Sequence, residues 1–245
     1  MSFISKLKKY SSEDCILIYQ MGKVGSTSIE HSLKNSIHLH TLYNNSPCHV
    51  HQRQREGAFF GKYSHKLMSI VRRAAIRKRK TIKIISLVRD PYQRDISMFF
   101  QDLPHWLYEY IGSNKVNTKS ENRTFLSEAF NKSYDNKYAL TWFDKEIKRF
   151  TGIDVLTEGF NKNEGFTIYE KGKYKLLVLD VKKIANCESV ISDFSGVDVQ
   201  LISSNKAENK WYSELYRNFK NEHVFSDSYN YELKKSKFWK VFFGE

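Results

Sequence analysis

The chain has 245 residues, of which 40% are hydrophobic and 15% aromatic, and it contains only three prolines and eleven glycines. This composition is typical of a folded α/β protein and excludes a collagen-like or linker-rich chain. No apolar run approaches the ~20 residues of a membrane-spanning helix, and the N-terminal residues show no secretory signal. We therefore expect a soluble, cytoplasmic protein, with peripheral contact to a membrane surface left open. The three cysteines form no Cys-x-x-Cys motif, which indicates a reducing compartment: Cys15, Cys48 and Cys187.

The formal net charge of +13 favours anionic ligands. Residues 72–80 ("RRAAIRKRK") contain six of the basic side chains. A solvated helix face is the favoured interpretation of this run. The alternatives are a nucleic-acid patch, a membrane-surface patch, or a rim that attracts an anionic substrate.

Three short, continuous apolar runs predict strands that are buried on both faces, as in a parallel sheet: residues 15–21, 82–88 and 175–181. A fourth candidate strand, residues 37–43, alternates instead. It places His38 and His40 on one face and Ile37, Leu39 and Thr41 on the other.

Helical patterns lie between these strands, at residues 28–34, 66–80, 92–101 and 138–150. The alternation predicts an α/β fold with a central, mostly parallel sheet between two layers of helices. We expect one domain over residues 1–245, with a core at about 14–185 and a C-terminal helical extension, 186–245, packed on that core.

The rest of the chain gives weaker signals. A polar loop or lid is expected after Tyr108. Residues 151–181 are interpreted as a strand, a loop and a hairpin that turns at "EKGK" (170–173). In the tail, a helix is expected to place Trp211, Leu215 and Phe219 on one face.

The end of the first predicted strand combines several features of an anion site. The glycines let the backbone approach an oxyanion, the lysine adds a charge, and the hydroxyls precede the start of a predicted helix. Thr27 and Glu30 have the spacing of a capping box there. The segment consists of Gly22, Lys23, Val24, Gly25, Ser26, Thr27 and Ser28.

This segment is not a Walker A motif, in which the lysine stands directly before Ser or Thr at the end of the loop. Lys23 comes early, and Asp180 is the only weak candidate for a magnesium-binding carboxylate at a strand end. ATP or GTP with magnesium is therefore disfavoured.

A second basic motif, "RDPYQRDIS", follows the strand predicted at 82–88. Arg89 leaves the strand, Pro91 begins a helix, and Arg94 and Ser97 lie one turn apart. A guanidinium with a hydroxyl nearby suits a phosphate group. The structural alternative is a salt bridge between Arg89 and Asp90.

Together these segments resemble a known family. "QMGKVGSTS" (20–28) resembles the 5′-phosphosulfate loop of sulfotransferases, and "RDPYQRDIS" (89–97) resembles their 3′-phosphate motif. "TWFDKEIKRFTGIDV" (141–155) adds a resemblance to the bacterial carbohydrate-type members, loosely labelled capsular polysaccharide synthesis proteins. The resemblance extends from Cys15 to about Val181.

The resemblance implies a P-loop-like fold and the donor 3′-phosphoadenosine 5′-phosphosulfate, with no metal. The sulfuryl group would pass to a hydroxyl or amine of a carbohydrate-type acceptor in capsular or surface polysaccharide biosynthesis. The 22–28 segment would hold the 5′-phosphosulfate, and Lys23 would contact the bridging oxygen. Arg89 and Ser97 would hold the 3′-phosphate, as they also would in the product 3′-phosphoadenosine 5′-phosphate.

The acceptor hydroxyl must lose a proton, and a histidine suits that role. His40 is the preferred general base because it is nearest the carboxyl end of its predicted strand. His51, His65 and Glu30 are the alternatives. The pairs His38/His40 and His49/His51 could also bind zinc, but no closed ligand set supports this.

A degenerate P-loop kinase and a non-enzymatic polyanion-binding module remain alternative functions, and nucleic acid is not favoured as a partner. Acceptor contacts are expected in two loops, 44–64 and 103–124. The aromatic side chains that could stack on sugars, or belong to the core, are Tyr43, Phe59, Phe60, Trp106 and Tyr108. Asn205, Lys206 and Lys210 could reach the 3′-phosphate or the acceptor, although a solvated basic helix is favoured there.

Overall fold

The computed structural model describes residues 3–25, 27–43, 61–113, 122–201 and 210–244. Its centre is a five-stranded sheet made of β1 (Ile16–Tyr19), β2 (Ser36–Leu39), β3 (Ile82–Val88), β4 (Phe166–Lys171) and β5 (Tyr174–Asp180). The strand order is β2-β1-β3-β5-β4. All pairs are parallel except β4–β5, which is an antiparallel hairpin. This confirms the predicted α/β fold with a mostly parallel sheet.

Helices flank the sheet and continue into the C-terminal part of the chain. A π-helical turn, Phe143–Lys148, joins α7 to α8, and a 3₁₀ turn, Ile184–Cys187, precedes α10. The helices are α1 (Phe3–Ser11), α2 (Thr27–Ser32), α3 (Gly61–Arg77), α4 (Pro91–Gln101), α5 (Leu103–Ser113), α6 (Asn122–Ser133), α7 (Lys137–Trp142), α8 (Arg149–Thr151), α9 (Val155–Glu158), α10 (Glu188–Ser195), α11 (Ser213–Glu222), α12 (Asp227–Lys235) and α13 (Lys237–Phe242).

The helix expected at 138–150 is confirmed, with the π-helical turn in its middle. Two predicted elements are wrong. The strand expected at the start of residues 151–181 is a helical segment, because Gly152 ends α8 with a φ of 78° and α9 begins three residues later. The loop expected from residue 103 begins as α5, whose buried side chains Leu103, Trp106 and Tyr110 recur at helical spacing.

Two clusters of buried side chains make the core. The first contains the sheet and its flanking helices, and Phe238 and Phe242 of α13 pack into it beside Phe143. The second lies between α4, α5, α6, α11 and α12 and is rich in aromatic rings. Since α4 starts directly after β3 and packs into the second cluster, it joins the sheet to the C-terminal helices.

Two arginines of the basic run 72–80 have structural roles that were not predicted. Arg79 is only 1% exposed, and its guanidinium donates to the carbonyls of Tyr10 (2.7 Å), Cys15 (2.5 Å) and Lys9 (3.0 Å). Arg73 donates to the carbonyl of Leu42. The solvated-face interpretation is therefore wrong for these two arginines. Cys15 and Cys187 are buried free thiols, whereas Cys48 lies outside the described residues.

We expect Arg79→Ala to lower the free energy of unfolding by about 3 kcal/mol or more, because two buried carbonyls and one partly buried carbonyl lose a charged donor. Urea unfolding followed by circular dichroism measures this change. Lys78→Ala, which removes an exposed charge next to it, is the control and should change stability by less than about 0.5 kcal/mol. Equal, small effects of the two substitutions would contradict the structural role of Arg79.

Candidate anion-binding site

The loop after β1 has a strained backbone. Lys23 adopts a left-handed conformation with a φ of 71°, which costs a residue with a Cβ about 1–2 kcal/mol. Gly25 has a φ of 85°, and a Cβ there would lie 2.9 Å from Cγ2 of Val181, just beyond β5. The loop is thus pressed against the carboxyl ends of the parallel strands. A lysine kept where glycine would relieve strain points to a function for its side chain.

Arg89, at the end of β3, is attached to this loop. Its Nη1 donates to the carbonyl of Lys23 (3.2 Å) and its Nη2 to Oε1 of Gln93 (3.4 Å). The Asp90 carboxylate caps α4 by accepting from the backbone N–H of Gln93 (2.9 Å). The structure thus gives Asp90 a capping role and directs Arg89 towards the loop.

A second arginine supports the same loop from the interior. Arg94 is 1% exposed, and its Nε donates to the carbonyl of Gly22 (3.1 Å). Its Nη1 donates to Oδ1 of Asp95 (2.6 Å) and to the hydroxyl of Tyr134 (3.0 Å). Its Nη2 is buried and has no hydrogen-bond partner in the part of the chain that the structure describes. Carbonyls of the loop are therefore fixed by guanidinium groups from two places.

The Lys23 ammonium lies in positive surroundings. Burial, and then the charges of Lys210, Arg89 and Arg94, lower its pKa to about 8. Among the residues that the structure describes, no carboxylate pairs with Lys23. A bound anion would supply the missing countercharge.

Lys210 was named as a residue that could reach the 3′-phosphate or the acceptor, but its contact with Lys23 was not predicted. It is half-buried, its side chain adjoins that of Lys23, and its Nζ lies 5.4 Å from the ring centroid of Tyr212. The interpretation as a solvated basic helix is wrong for this residue. Asn205 and Lys206 lie outside the described residues.

The other predicted donor-site residues take varied positions. Thr27 and Ser28 are half-buried at the start of α2, which has only six residues. The side chain of Val24 is buried in the first core cluster, so Val24 can contribute only its backbone to the site. Ser97 is half-buried on α4, one turn after Arg94. Ser26 lies outside the described residues.

Two histidines meet at the end of β2. His40 Nδ1 donates to the carbonyl of Gln20 (3.1 Å), which leaves Nε2 as the proton acceptor. Burial, and then His38, lower the pKa of His40 to about 4, so its ring is neutral at pH 7. His38 Nδ1 donates to the Glu30 carboxylate (2.8 Å), and the two rings are 4.3 Å apart.

The His38–Glu30 pair was not predicted, because the capping-box spacing gave Glu30 a different role. It is a carboxylate–histidine pair of the kind that stabilises a protonated imidazole. The alternative bases at positions 51 and 65 are not described: His51 lies outside the described residues, as does the side chain of His65 in α3.

Buried polar groups of α7 and the π-helical turn hold the segment that carries His40. Trp142 Nε1 donates to the carbonyl of His40 (2.9 Å). The fully buried Glu146 carboxylate accepts from the backbone N–H groups of Leu42 (2.7 Å) and Tyr43 (3.2 Å) and from the Tyr19 hydroxyl. π-helical turns often occur at functional sites, and here the turn positions the exit from β2.

The aromatic side chains proposed for sugar stacking have different surroundings. Trp106 is buried in the second core cluster. The Tyr43 ring lies between the guanidinium groups of Arg73 (4.4 Å) and Arg149 (4.3 Å). Tyr108 is 66% exposed on α5. Phe59 and Phe60 lie outside the described residues.

The structure thus brings Lys23, Arg89, Arg94, Lys210 and His40 to one edge of the sheet. Within the described ranges, no group of three or more His, Cys, Asp or Glu side chains could hold a metal ion. No helix in the same ranges is long and apolar enough to cross a membrane. Asp180, the weak magnesium candidate, accepts from the backbone N–H of Lys182 (2.9 Å).

The structure is that of an α/β protein with a group of cationic side chains at the carboxyl ends of its parallel strands. A family described as "Putative capsular polysaccharide synthesis protein" matches residues 115–244, more than half of the chain. The chain therefore belongs to this capsular polysaccharide synthesis family. Comparisons with curated proteins and with solved structures found no match.

We expect Lys23→Gly to be more stable than Lys23→Ala by about 1 kcal/mol, because only glycine adopts the left-handed conformation without strain. At most positions the alanine variant is the more stable of the two, so the expected order of stability is reversed here. Thermal unfolding of both variants measures the difference. A more stable Lys23→Ala would show that the backbone at Lys23 is not strained in solution.

Proposed function

We propose that the protein is a sulfotransferase that moves the sulfuryl group of 3′-phosphoadenosine 5′-phosphosulfate to a hydroxyl of a carbohydrate-type acceptor in polysaccharide synthesis. The observation that carries this proposal is the Lys23 ammonium, which is half-buried in a strained loop at a strand end and has no carboxylate partner among the described residues. The family membership supports a role in polysaccharide synthesis. The resemblance of 20–28 and 89–97 to the donor motifs supports the choice of donor.

In this proposal the loop binds the 5′-phosphosulfate through its backbone and through the hydroxyls of Ser26, Thr27 and Ser28. Arg89 and Ser97 bind the 3′-phosphate, with Arg89 already held beside the loop by the Lys23 carbonyl. Arg94 keeps the Gly22 carbonyl in place. The donor is thereby held in one position before the acceptor arrives.

The acceptor oxygen forms a bond to sulfur while the bond from sulfur to the bridging phosphate oxygen breaks. Negative charge accumulates on that bridging oxygen, and the Lys23 ammonium neutralises it. The acceptor proton passes to Nε2 of His40. The products are a sulfate ester and 3′-phosphoadenosine 5′-phosphate.

His40 is the proposed base because its Nδ1 is already committed to the Gln20 carbonyl, which orients Nε2 as an acceptor. A bound anion would raise the low pKa of His40, since negative charge stabilises the imidazolium. The neighbouring His38–Glu30 pair is the competing assignment, because the Glu30 carboxylate lies 2.8 Å from Nδ1 of His38.

We expect 3′-phosphoadenosine 5′-phosphate to raise the melting temperature, and Arg89→Ala to weaken its binding by about 2 kcal/mol, because a charged hydrogen bond is lost. Lys23→Ala should abolish transfer. Calorimetry and an assay with the labelled donor measure these effects, and Lys34→Ala, which removes an exposed lysine between α2 and β2, is the control. Stabilisation by ATP–magnesium alone, or by nucleic acid alone, would reject the sulfotransferase proposal in favour of a kinase or a polyanion-binding module.

We expect His40→Ala to lower kcat by about 10²–10⁴-fold while leaving the affinity for 3′-phosphoadenosine 5′-phosphate unchanged. His38→Ala should have a smaller effect because His38 does not accept the proton. Steady-state kinetics with a panel of glycan acceptors measures both. The opposite order, accompanied by an equal loss in Glu30→Gln, would move the base to the His38–Glu30 pair.

A further inference from the structure

Lys210 is anchored to the helix that carries the anion-site arginine Arg94. The ring of Tyr212 is buried and packs against the ring of Phe100 on α4, with the two ring centroids 5.6 Å apart. The Lys210 carbonyl accepts from the backbone N–H of Ser213 (2.9 Å), where α11 begins, and its ammonium lies over the Tyr212 ring. These contacts hold Lys210 at the loop although 186 residues separate it from Lys23 in the chain.

Lys23 and Lys210 therefore form a half-buried pair of like charges. Two neighbouring ammonium groups repel each other, and burial increases the repulsion because water screens it less. Within the described residues, neither lysine is paired with a carboxylate. An anion placed between the two ammonium groups would remove the repulsion.

The charge of the site indicates the class of anion. Lys23, Lys210 and Arg89 each contribute one positive charge, whereas the charge of Arg94 is balanced by its ion pair with Asp95. A monoanion would leave most of this charge uncompensated. A phosphate or phosphosulfate group that carries two or more negative charges fits better.

We propose that Lys23 and Lys210 form a two-lysine clamp that closes on a multiply charged phosphate or phosphosulfate, so that the ligand joins the N-terminal loop to the C-terminal helices. The assignment of the ligand as the sulfuryl donor rests on the proposed function, whereas the inference that the ligand carries two or more negative charges does not. Lys210 is a binding residue in this proposal, beside the donor-site residues identified from the motifs.

The test compares Lys210→Met with the wild-type protein, because methionine keeps the apolar stem over Tyr212 and removes the charge. Lys210→Gln is a second neutral variant and Lys210→Arg retains the charge. Lys220→Gln removes an exposed charge from α11 and is the matched control. The probes are 3′-phosphoadenosine 5′-phosphate and inorganic pyrophosphate, with affinities measured by calorimetry at constant ionic strength.

We expect both neutral variants to bind each probe about tenfold more weakly or worse, because a charged contact to phosphate is lost. Lys210→Arg and Lys220→Gln should stay within about threefold of the wild type. Amide exchange in α11 should slow when pyrophosphate binds to the wild type, but not when it binds to Lys210→Met.

The pH dependence of binding separates a direct role from a structural one. The pKa of Lys23 is about 8 and rises when an anion binds, so wild-type affinity should fall as the pH increases above about 8. Lys210→Met removes a charge that lowers this pKa, so the fall should begin at a higher pH. A residue with only a structural role would not shift this profile.

The outcomes distinguish the two proposals. Unchanged affinity and an unchanged pH profile in the neutral variants would overturn the clamp, and the sulfotransferase proposal would stand if 3′-phosphoadenosine 5′-phosphate still binds. Lys210-dependent binding of pyrophosphate without binding of the nucleotide would overturn the donor assignment and support the clamp. A wild-type protein that binds neither probe would overturn both.

Discussion

The buried guanidinium of Arg94 is the interaction on which the site depends. It binds the Gly22 carbonyl on one side and Asp95 on the other, and Asp95 in turn accepts from the hydroxyls of Tyr134 (3.1 Å) and Tyr229 (2.7 Å). A buried charge needs all of its partners, and removing one of them costs several kcal/mol. The loop after β1, the helix α4 and the C-terminal helices are therefore fixed relative to one another by a single charge network.

The loop itself is kept in an unfavourable state. The backbone of Lys23 is strained, and its ammonium is partly desolvated next to other cations. Neither feature helps the protein to fold, and both would be relieved by substitutions at one position. Such a conflict between stability and local structure is typical of functional sites. Arg89 and Arg94 connect the loop to the rest of the fold, and their hydrogen bonds to the loop carbonyls keep the loop in this unfavourable conformation.

The sequence predicted those features that local patterns determine. Continuous apolar runs identified β1, β3 and β5, and motifs at the ends of two of these strands placed Lys23 and Arg89 together, because parallel strands end at the same edge of a sheet. The sequence did not predict that Lys210 lies beside Lys23, because no local pattern indicates a contact between residues so far apart in the chain. The His38–Glu30 pair was missed for a related reason: the spacing of Glu30 from Thr27 suggested a cap, and only the packing of α2 beside β2 reveals the partner. The amino-acid composition of the π-helical turn does not distinguish it from an α-helix.

The family match and the loop occupy different parts of the chain, and the structure explains how they belong to one site. The matched residues, 115–244, begin after both donor-like motifs. They nevertheless supply Trp142 and Glu146, which hold the segment that carries His40. They also supply Tyr134 and Tyr229, which complete the network around Arg94, and Lys210, which adjoins Lys23. The matched region therefore contributes the supports of the site together with one of its charges. A substitution in that region can disturb the loop without touching it, because the loop has its conformation only while those supports are in place.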